Sequence, residues 1–206
     1  MIRPPGQAGV AFTERSDGDL RGDEAARRTL SVAQRIPDRW ATVDQVHGAE
    51  VARVDGPGNA GRADALWTTE PDLTLAVFTA DCFGVAIRSA SAVGVAHAGW
   101  RGARADVVGR LRRAMTASDQ DPEWAAVGPG IGPCCFEVGP EVAQQFPGHA
   151  STTSWATESV DLPGVIEEQL NGLDVWFSEG CTHHDDGFFS HRLDASMGRL
   201  ATLAWL

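Results

Sequence analysis

Lysine and tyrosine are both missing from the 206 residues. Without a lysine amine the chain can form no Schiff base and use no lysine base, and without a phenol it has no tyrosine acid. All seventeen basic side chains are therefore arginine, set against twenty-eight acidic ones for a net charge of −11. A field of that sign repels nucleic acid and anionic membrane, so neither is expected as a partner, and an anionic substrate would need a local arginine cluster. Cysteine is scarce as well, limited to Cys82, Cys134, Cys135 and Cys181. Four thiols so unevenly placed do not make a secreted disulfide scaffold, and neighbours such as Cys134 and Cys135 could join only in a strained ring. All four are read as reduced. No run of about eighteen uncharged apolar residues occurs, and the opening MIRPPGQAG lacks a signal-peptide core, so a soluble, cytoplasmic protein is expected.

What is present reads as one continuous α/β domain over residues 1–206, long enough to bury roughly 70% of its unfolded surface. Apolar runs predict strands at Leu73 to Thr79, Gly84 to Ile87, Val93 to His97, Trp124 to Val127 and Leu173 to Phe177. Helical periodicity appears at Asp106 to Met115, Pro140 to Phe146 and Pro163 to Leu170. Three polar stretches, Thr13 to Asp23, Gly56 to Gly61 and His149 to Ser159, are expected to lack regular structure.

Chemistry gathers at the strand ends, where open α/β sheets place it. The predicted strand at Val93 stops at His97 and turns through Gly99, Trp100, Arg101 and Gly102. The two glycines let backbone approach a ligand closely, and a helix starting near Ala103 would aim free N–H groups at an anion beside Arg101. His47, in DQVHGAEV, and Cys82, after Thr79-Ala80-Asp81, also sit at turns. Two imidazoles and one thiolate form a set that leaves zinc a fourth, open position. Separations of 35 and 15 residues are no local metal motif, however, and a buried thiol with two hydrogen-bonded histidines fits the spacing as well. Asp81 reads either as a general acid/base or as a carboxylate orienting an imidazole. Glu137, in the rigid loop GPGIGPCCFEVG, reads as a ribose contact or a helix cap, and Cys134 and Cys135 read as packing residues.

Taken together, QVHG (Gln45 to Gly48), ADAL-T (Ala63 to Thr68), TADC (Thr79 to Cys82), HAGWRG (His97 to Gly102) and VGPGIGPCCFEVG (Val127 to Gly139) resemble, in order, the YfiH-like family. That family is also known as laccase-domain or polyphenol oxidase proteins, peptidoglycan editing factor and purine nucleoside phosphorylases. The resemblance implies a single four-layer α/β/β/α sandwich and a zinc ion, sometimes assigned as copper, on the positions matching His47, Cys82 and His97. It further implies phosphorolysis of adenosine, inosine, guanosine and methylthioadenosine, and deamination of adenosine, with nucleoside and phosphate as small-molecule partners. Arg101 is then expected to clamp phosphate.

Two readings from other classes stand beside it. A Cys82 thiolate with His47 or His97 as base would make an amidase editing peptidoglycan precursors. A four-copper oxidase needs about ten imidazoles, and six histidines do not supply them. Toward the C-terminus, CTHHDDGFFSHR gathers Cys181, His183, His184 and His191, a composition that invites a second metal. Relatives usually read there as a CTYC-like phrase followed by FSYRR, so these histidines are expected in a pocket wall instead. The N-terminal FTERSDGDLRGDE also lacks the longer glycine- and serine-rich loop of most relatives.

Overall fold

Two β-sheets lie face to face between outer layers of helices in the computed structural model, which describes residues 1–195 and 198–206. In chain order the elements begin with β1 (Val10–Phe12), α1 (Glu24–Gln34), β2 (Arg39–Asp44), β3 (Val51–Arg53), β4 (Gly58–Arg62) and β5 (Ala65–Thr68). Then come β6 (Leu73–Thr79), β7 (Phe83–Arg88), β8 (Val93–Ala98), α2 (Trp100–Arg104), α3 (Val107–Thr116) and β9 (Trp124–Val127). The last are α4 (Pro140–Ala143), β10 (Ala150–Thr152), β11 (Glu158–Val160), α5 (Leu162–Gln169), β12 (Asp174–Phe177) and β13 (Leu200–Ala204).

One sheet runs β1-β13-β6-β2-β4 and the other β12-β9-β7-β8-β5-β3. Both are mixed: β6, β2 and β4 are parallel neighbours, as are β12 with β9 and β3 with β5, while β7 pairs antiparallel with both β8 and β9. Alternation along each strand then decides which layer a side chain enters. Leu73, Leu75 and Val77 of β6 meet Leu66, Ala86, Val93 and Val95 of the other sheet in the central core. The opposite residues of β6, Ala76 and Phe78, face Leu30 of α1. Trp67, Val85 and Ile87 carry the outer core under α3 and α5, where Leu111, Met115 and Ile166 are fully buried. Fully burying a side chain of that size is worth about 1.5–3 kcal/mol. The result is the expected α/β/β/α sandwich.

The longer apolar segments form where expected, β6 and β9 with the expected bounds, and four expectations are corrected, the first because Thr13 to Asp23 holds a short 3-10 helix at Arg15–Asp17. The helix foreseen over Pro140 to Phe146 is a single turn, α4, followed by turns. His149 to Ser159 is not irregular, because β10 and β11 pair there as an antiparallel hairpin. Gly56 to Gly61 contains most of β4, an exposed edge strand parallel to β2 with a bulge between Thr42 and Asp44. Helix α1 was not foreseen; it buries only Leu30 and Ser31, and its start is set by the Asp23 carboxylate, which accepts the Ala26 N–H.

Candidate metal centre and cavity

His47, Cys82 and His97 converge at one end of the sandwich, each delivered by a strand end. His47 follows β2, Cys82 sits in the turn from β6 to β7, and His97 is the penultimate residue of β8. Their ligand atoms lie within 4.8 Å of one another, and the two imidazoles meet edge to face with centroids 4.8 Å apart. A tetrahedral zinc site places such atoms roughly 3.5 Å apart, so small side-chain movements would close the set around an ion. Gly99 makes room for it: a Cβ there would stand 2.8 Å from the Cys82 Sγ and 3.2 Å from the His47 Cδ2. Gly102, one turn on, lets α2 pack against the His47 loop, since a Cβ there would meet the Gly48 carbonyl oxygen at 3.0 Å.

A residue that sequence reasoning missed, Asp64, organises this arrangement. Its carboxylate is fully buried and accepts the backbone N–H groups of Val46, His47 and Gly48 at 3.2, 2.9 and 2.6 Å. Those three bonds hold His47 at φ 58, left-handed backbone that a non-glycine residue adopts only when its surroundings enforce it. The same carboxylate lies 2.8 Å from the His97 Nδ1, which leaves Nε2 as the ring atom available to an ion. Gln45 secures the other side of the loop, donating to the Phe78 carbonyl and accepting the Phe78 N–H. The signal for Asp64 was present in the ADAL phrase, since a ligating imidazole needs a carboxylate or carbonyl behind it.

Electrostatics couple Cys82, His97 and Asp64. Burial alone would raise the Cys82 thiol, but hydrogen bonds from His47 and His97 outweigh it and bring the pKa down to about 6. Burial would likewise lower His97, yet Asp64 and Cys82 raise it to about 9. For Asp64 burial pushes upward, and the bonds from His97 and the Gly48 N–H more than offset it, leaving the carboxyl below its ordinary value. Near neutral pH, with no ion bound, the centre is a thiolate beside an imidazolium.

The three ligands lie in the wall of a cavity of about 740 Å³, within the range of small-molecule sites. Arg21, Arg27 and Arg199 line it, as do Phe78, Asn59 and His191. These are the local arginines that an anionic substrate requires in a chain of net charge −11. Arg27 is braced by the Leu20 carbonyl and lies over the Trp40 and Phe78 rings.

Several expected site residues lie elsewhere. Arg101 is exposed on α2, stacked 4.2 Å over the Trp100 ring, and does not line the cavity; α2 starts at Trp100 rather than near Ala103. Asp81 adopts φ 77 and turns its carboxylate to the Thr182 hydroxyl at 2.7 Å and the Arg192 N–H at 2.8 Å, so the imidazole-orienting role belongs to Asp64. The Glu137 carboxylate accepts the Trp155 indole N–H at 2.6 Å, and the cap of α4 is Gly139 instead. Of the C-terminal histidines only His191 lines the cavity. His183 lies against Trp155, and the His184 Nε2 stands 2.9 Å from the Cys135 Sγ.

Residues 13–206 match the profile of the family described as multi-copper polyphenol oxidoreductase laccase. Purine nucleoside phosphorylase ORF3 of Streptomyces griseus is 41% identical over 185 residues, covering 82% of this chain and 75% of that protein. Purine nucleoside phosphorylase YfiH of Escherichia coli (strain K12) is 34% identical over 198 residues, covering 89% and 80%. Among solved structures, YlmD from Geobacillus stearothermophilus superposes with a TM-score of 0.84 at 29% identity, over 97% of this chain and 93% of that one.

Proposed function

Since this chain belongs to the laccase-domain family that includes YfiH, we propose that it is a zinc-dependent purine nucleoside phosphorylase acting in the cavity at His47, Cys82 and His97. The observation that carries the proposal is the union, in one cavity, of a three-ligand metal set and three arginines. Nucleosides of adenine, hypoxanthine and guanine, and methylthioadenosine, are the proposed substrates.

In phosphorolysis a phosphate oxygen bonds to C1′ of the ribose while the C1′–N9 bond breaks, its electron pair leaving with the purine, which takes up a proton. Arg21, Arg27 and Arg199 are assigned to hold the phosphate, since guanidinium forks match its oxygens and offset its charge. Phe78 offers an apolar surface for the base, and Asn59 a polar contact for the ribose. Asp64 fixes the His97 ring and the His47 loop, keeping both nitrogens aimed at one point. Bound zinc would supply Lewis acidity with one open coordination position, which also suits replacement of the C6 amino group of adenosine by water. Asp81 is assigned to hold the turn that presents Cys82, through Thr182 and Arg192.

A second reading rests on the thiolate at Cys82: with His97 raised and Asp64 behind it, the same three residues have the order of a cysteine amidase triad. Metal separates the two, because an ion on the sulfur blocks its attack. The deciding experiment measures zinc in the purified protein and follows adenosine and inosine by chromatography with and without phosphate. Expected are ribose 1-phosphate and free base that depend on phosphate and vanish with Cys82→Ala. Turnover of no nucleoside by zinc-loaded protein would overturn the proposal, and cleavage of a wall-peptide amide by metal-free protein would favour the triad.

A further inference from the structure

Away from the cavity, Cys134, Cys135, Cys181 and His184 bring three sulfurs and one imidazole within 4.8 Å of one another. The Cys135 Sγ is 3.5 Å from the Cys134 Sγ and 2.9 Å from the His184 Nε2. None of the four lines the cavity. We propose that these residues form a second metal site, a closed three-sulfur, one-nitrogen zinc centre with a structural role.

The donor set decides the role. Three thiolates and one imidazole fill a tetrahedron and leave no open position, as structural zinc sites do and catalytic ones do not. In such a tetrahedron neighbouring sulfurs stand roughly 3.8 Å apart and sulfur and nitrogen roughly 3.5 Å. The Cys134 and Cys135 sulfurs are near that spacing at 3.5 Å, the His184 Nε2 need withdraw only slightly from Cys135, and Cys181 lies within 4.8 Å of the rest. Backbone supports the ligands too. The Gly132 N–H donates to the Cys181 Sγ at 3.2 Å, a contact that stabilises the charge of a thiolate ligand.

Topology gives the site something to hold. Beyond the end of the β12–β9 ladder, the loop after β9 and the segment after β12 stay in touch through the Gly130–Cys181 bridge and the Thr182 N–H to the Gly130 carbonyl. Thr182 goes on to bond Asp81, beside Cys82, and the same C-terminal segment carries His191 and Arg199 to the cavity. An ion on these four residues would therefore fasten the C-terminal wall of the cavity to the sheet. His184 is exposed, which gives an ion a path from solvent. The sequence reading of the C-terminal histidines as pocket wall thus holds for His191, while His184 turns to the thiols.

The proposal does not rest on the assignment of nucleoside chemistry and is tested by zinc content. Protein purified with reductant and zinc is expected to hold two ions per chain, and the double variant His47→Ala, Cys82→Ala to keep one. Cys135→Ser or His184→Ala should each remove one ion from wild type, whereas His184→Cys, which restores a fourth donor, should retain it. His184 is exposed, so its variants report even where Cys135→Ser fails to fold. Cobalt in the His47→Ala, Cys82→Ala variant should give a sulfur-to-metal charge-transfer band about three times that of the single-sulfur cavity site in His184→Ala, in proportion to thiolate number. Zinc falling to zero in the double variant would overturn the proposal. So would a wild-type chain two hydrogens lighter than its reduced mass, holding a disulfide among Cys134, Cys135 and Cys181 and no second ion.

Discussion

The Asp64 carboxylate and the His97 imidazole face each other at 2.8 Å, with Asp64 fully buried and His97 3% exposed. A buried carboxylate that also accepts three N–H groups from the His47 loop does two things at once: it sets the ring of one ligand and the backbone of another. The fold thus fixes the His97 ring and the His47 backbone in place, leaving small side-chain movements to bring the three candidate ligand atoms together.

Replacing Asp64 tests this. Asp64→Asn keeps the shape but removes the charge and substitutes a donor for an acceptor among three N–H groups. Zinc affinity at the cavity site should fall about 10- to 100-fold, the usual effect of losing a ligand's carboxylate partner. Breaking a buried charged pair should also destabilise the protein by about 3–5 kcal/mol. Competition with a chelator reads the first effect and denaturant unfolding the second; unchanged affinity would remove Asp64 from the site.

Gly99 is tested by the smallest possible insertion. Its φ of −78 is ordinary backbone, so Gly99→Ala brings no conformational penalty. Instead a methyl is placed 2.8 Å from the Cys82 sulfur and 3.2 Å from the His47 ring. Zinc at this site should weaken by at least about tenfold, the equivalent of some 1.4 kcal/mol of steric displacement. Far-ultraviolet circular dichroism should stay the same, and wild-type affinity would mean that the two ligands yield freely.

The pKa shifts fix how metal binding depends on pH. In the ion-free protein Cys82 titrates at about 6 and His97 at about 9. Between those values Cys82 is already a thiolate, and His97 must surrender a proton for its nitrogen to bind. Binding should then release about one proton from this pair, with affinity rising about tenfold per pH unit up to pH 9 and levelling off above it. Below pH 6 the thiol also carries a proton and the slope steepens. Calorimetry in buffers of different ionisation enthalpy counts those protons in the double variant His184→Ala, Cys135→Ser, where only the cavity site remains; a flat affinity from pH 6.5 to 8.5 would contradict the coupling.

How much of this could be read from the chain depends on range. Strands β6, β8 and β9 are long or strongly apolar, and their own residues announce them. The short strands β1, β3 and β5, three or four residues each, exist only because a neighbouring strand pairs with them. That His47, Cys82 and His97 come together was expected from the family phrases that carry them, since their spacing alone fitted a buried thiol and two hydrogen-bonded histidines as well. Asp64 was not singled out, since its meaning comes from partners 16 to 33 residues away. Cys134 and Cys135 read as packing residues for the same reason: nothing near them in the chain reveals Cys181 and His184.

The arginines decide between the sequence and the structure as guides to phosphate. Sequence points to Arg101, beside two glycines and a helix start, but its guanidinium lies over Trp100, outside the cavity. Arg21 and Arg199 line the cavity with the metal ligands. A charge-assisted bond to phosphate is worth about 1.5–3 kcal/mol, or roughly a 10- to 150-fold change. Arg199→Ala and Arg21→Ala should each raise the KM for phosphate by that order while leaving zinc content alone. Arg101→Ala should leave phosphate dependence as in wild type. Arg27 is left out of this comparison because its guanidinium lies over the Trp40 and Phe78 rings, so truncation would strip packing from the cavity wall itself, whereas Arg21 faces Asp19 at 3.7 Å and Arg199 bonds the Gly198 carbonyl. Steady-state kinetics at varied phosphate settle the matter: a large effect at Arg101 with none at Arg199 or Arg21 would move the anion site out of the cavity to the start of α2.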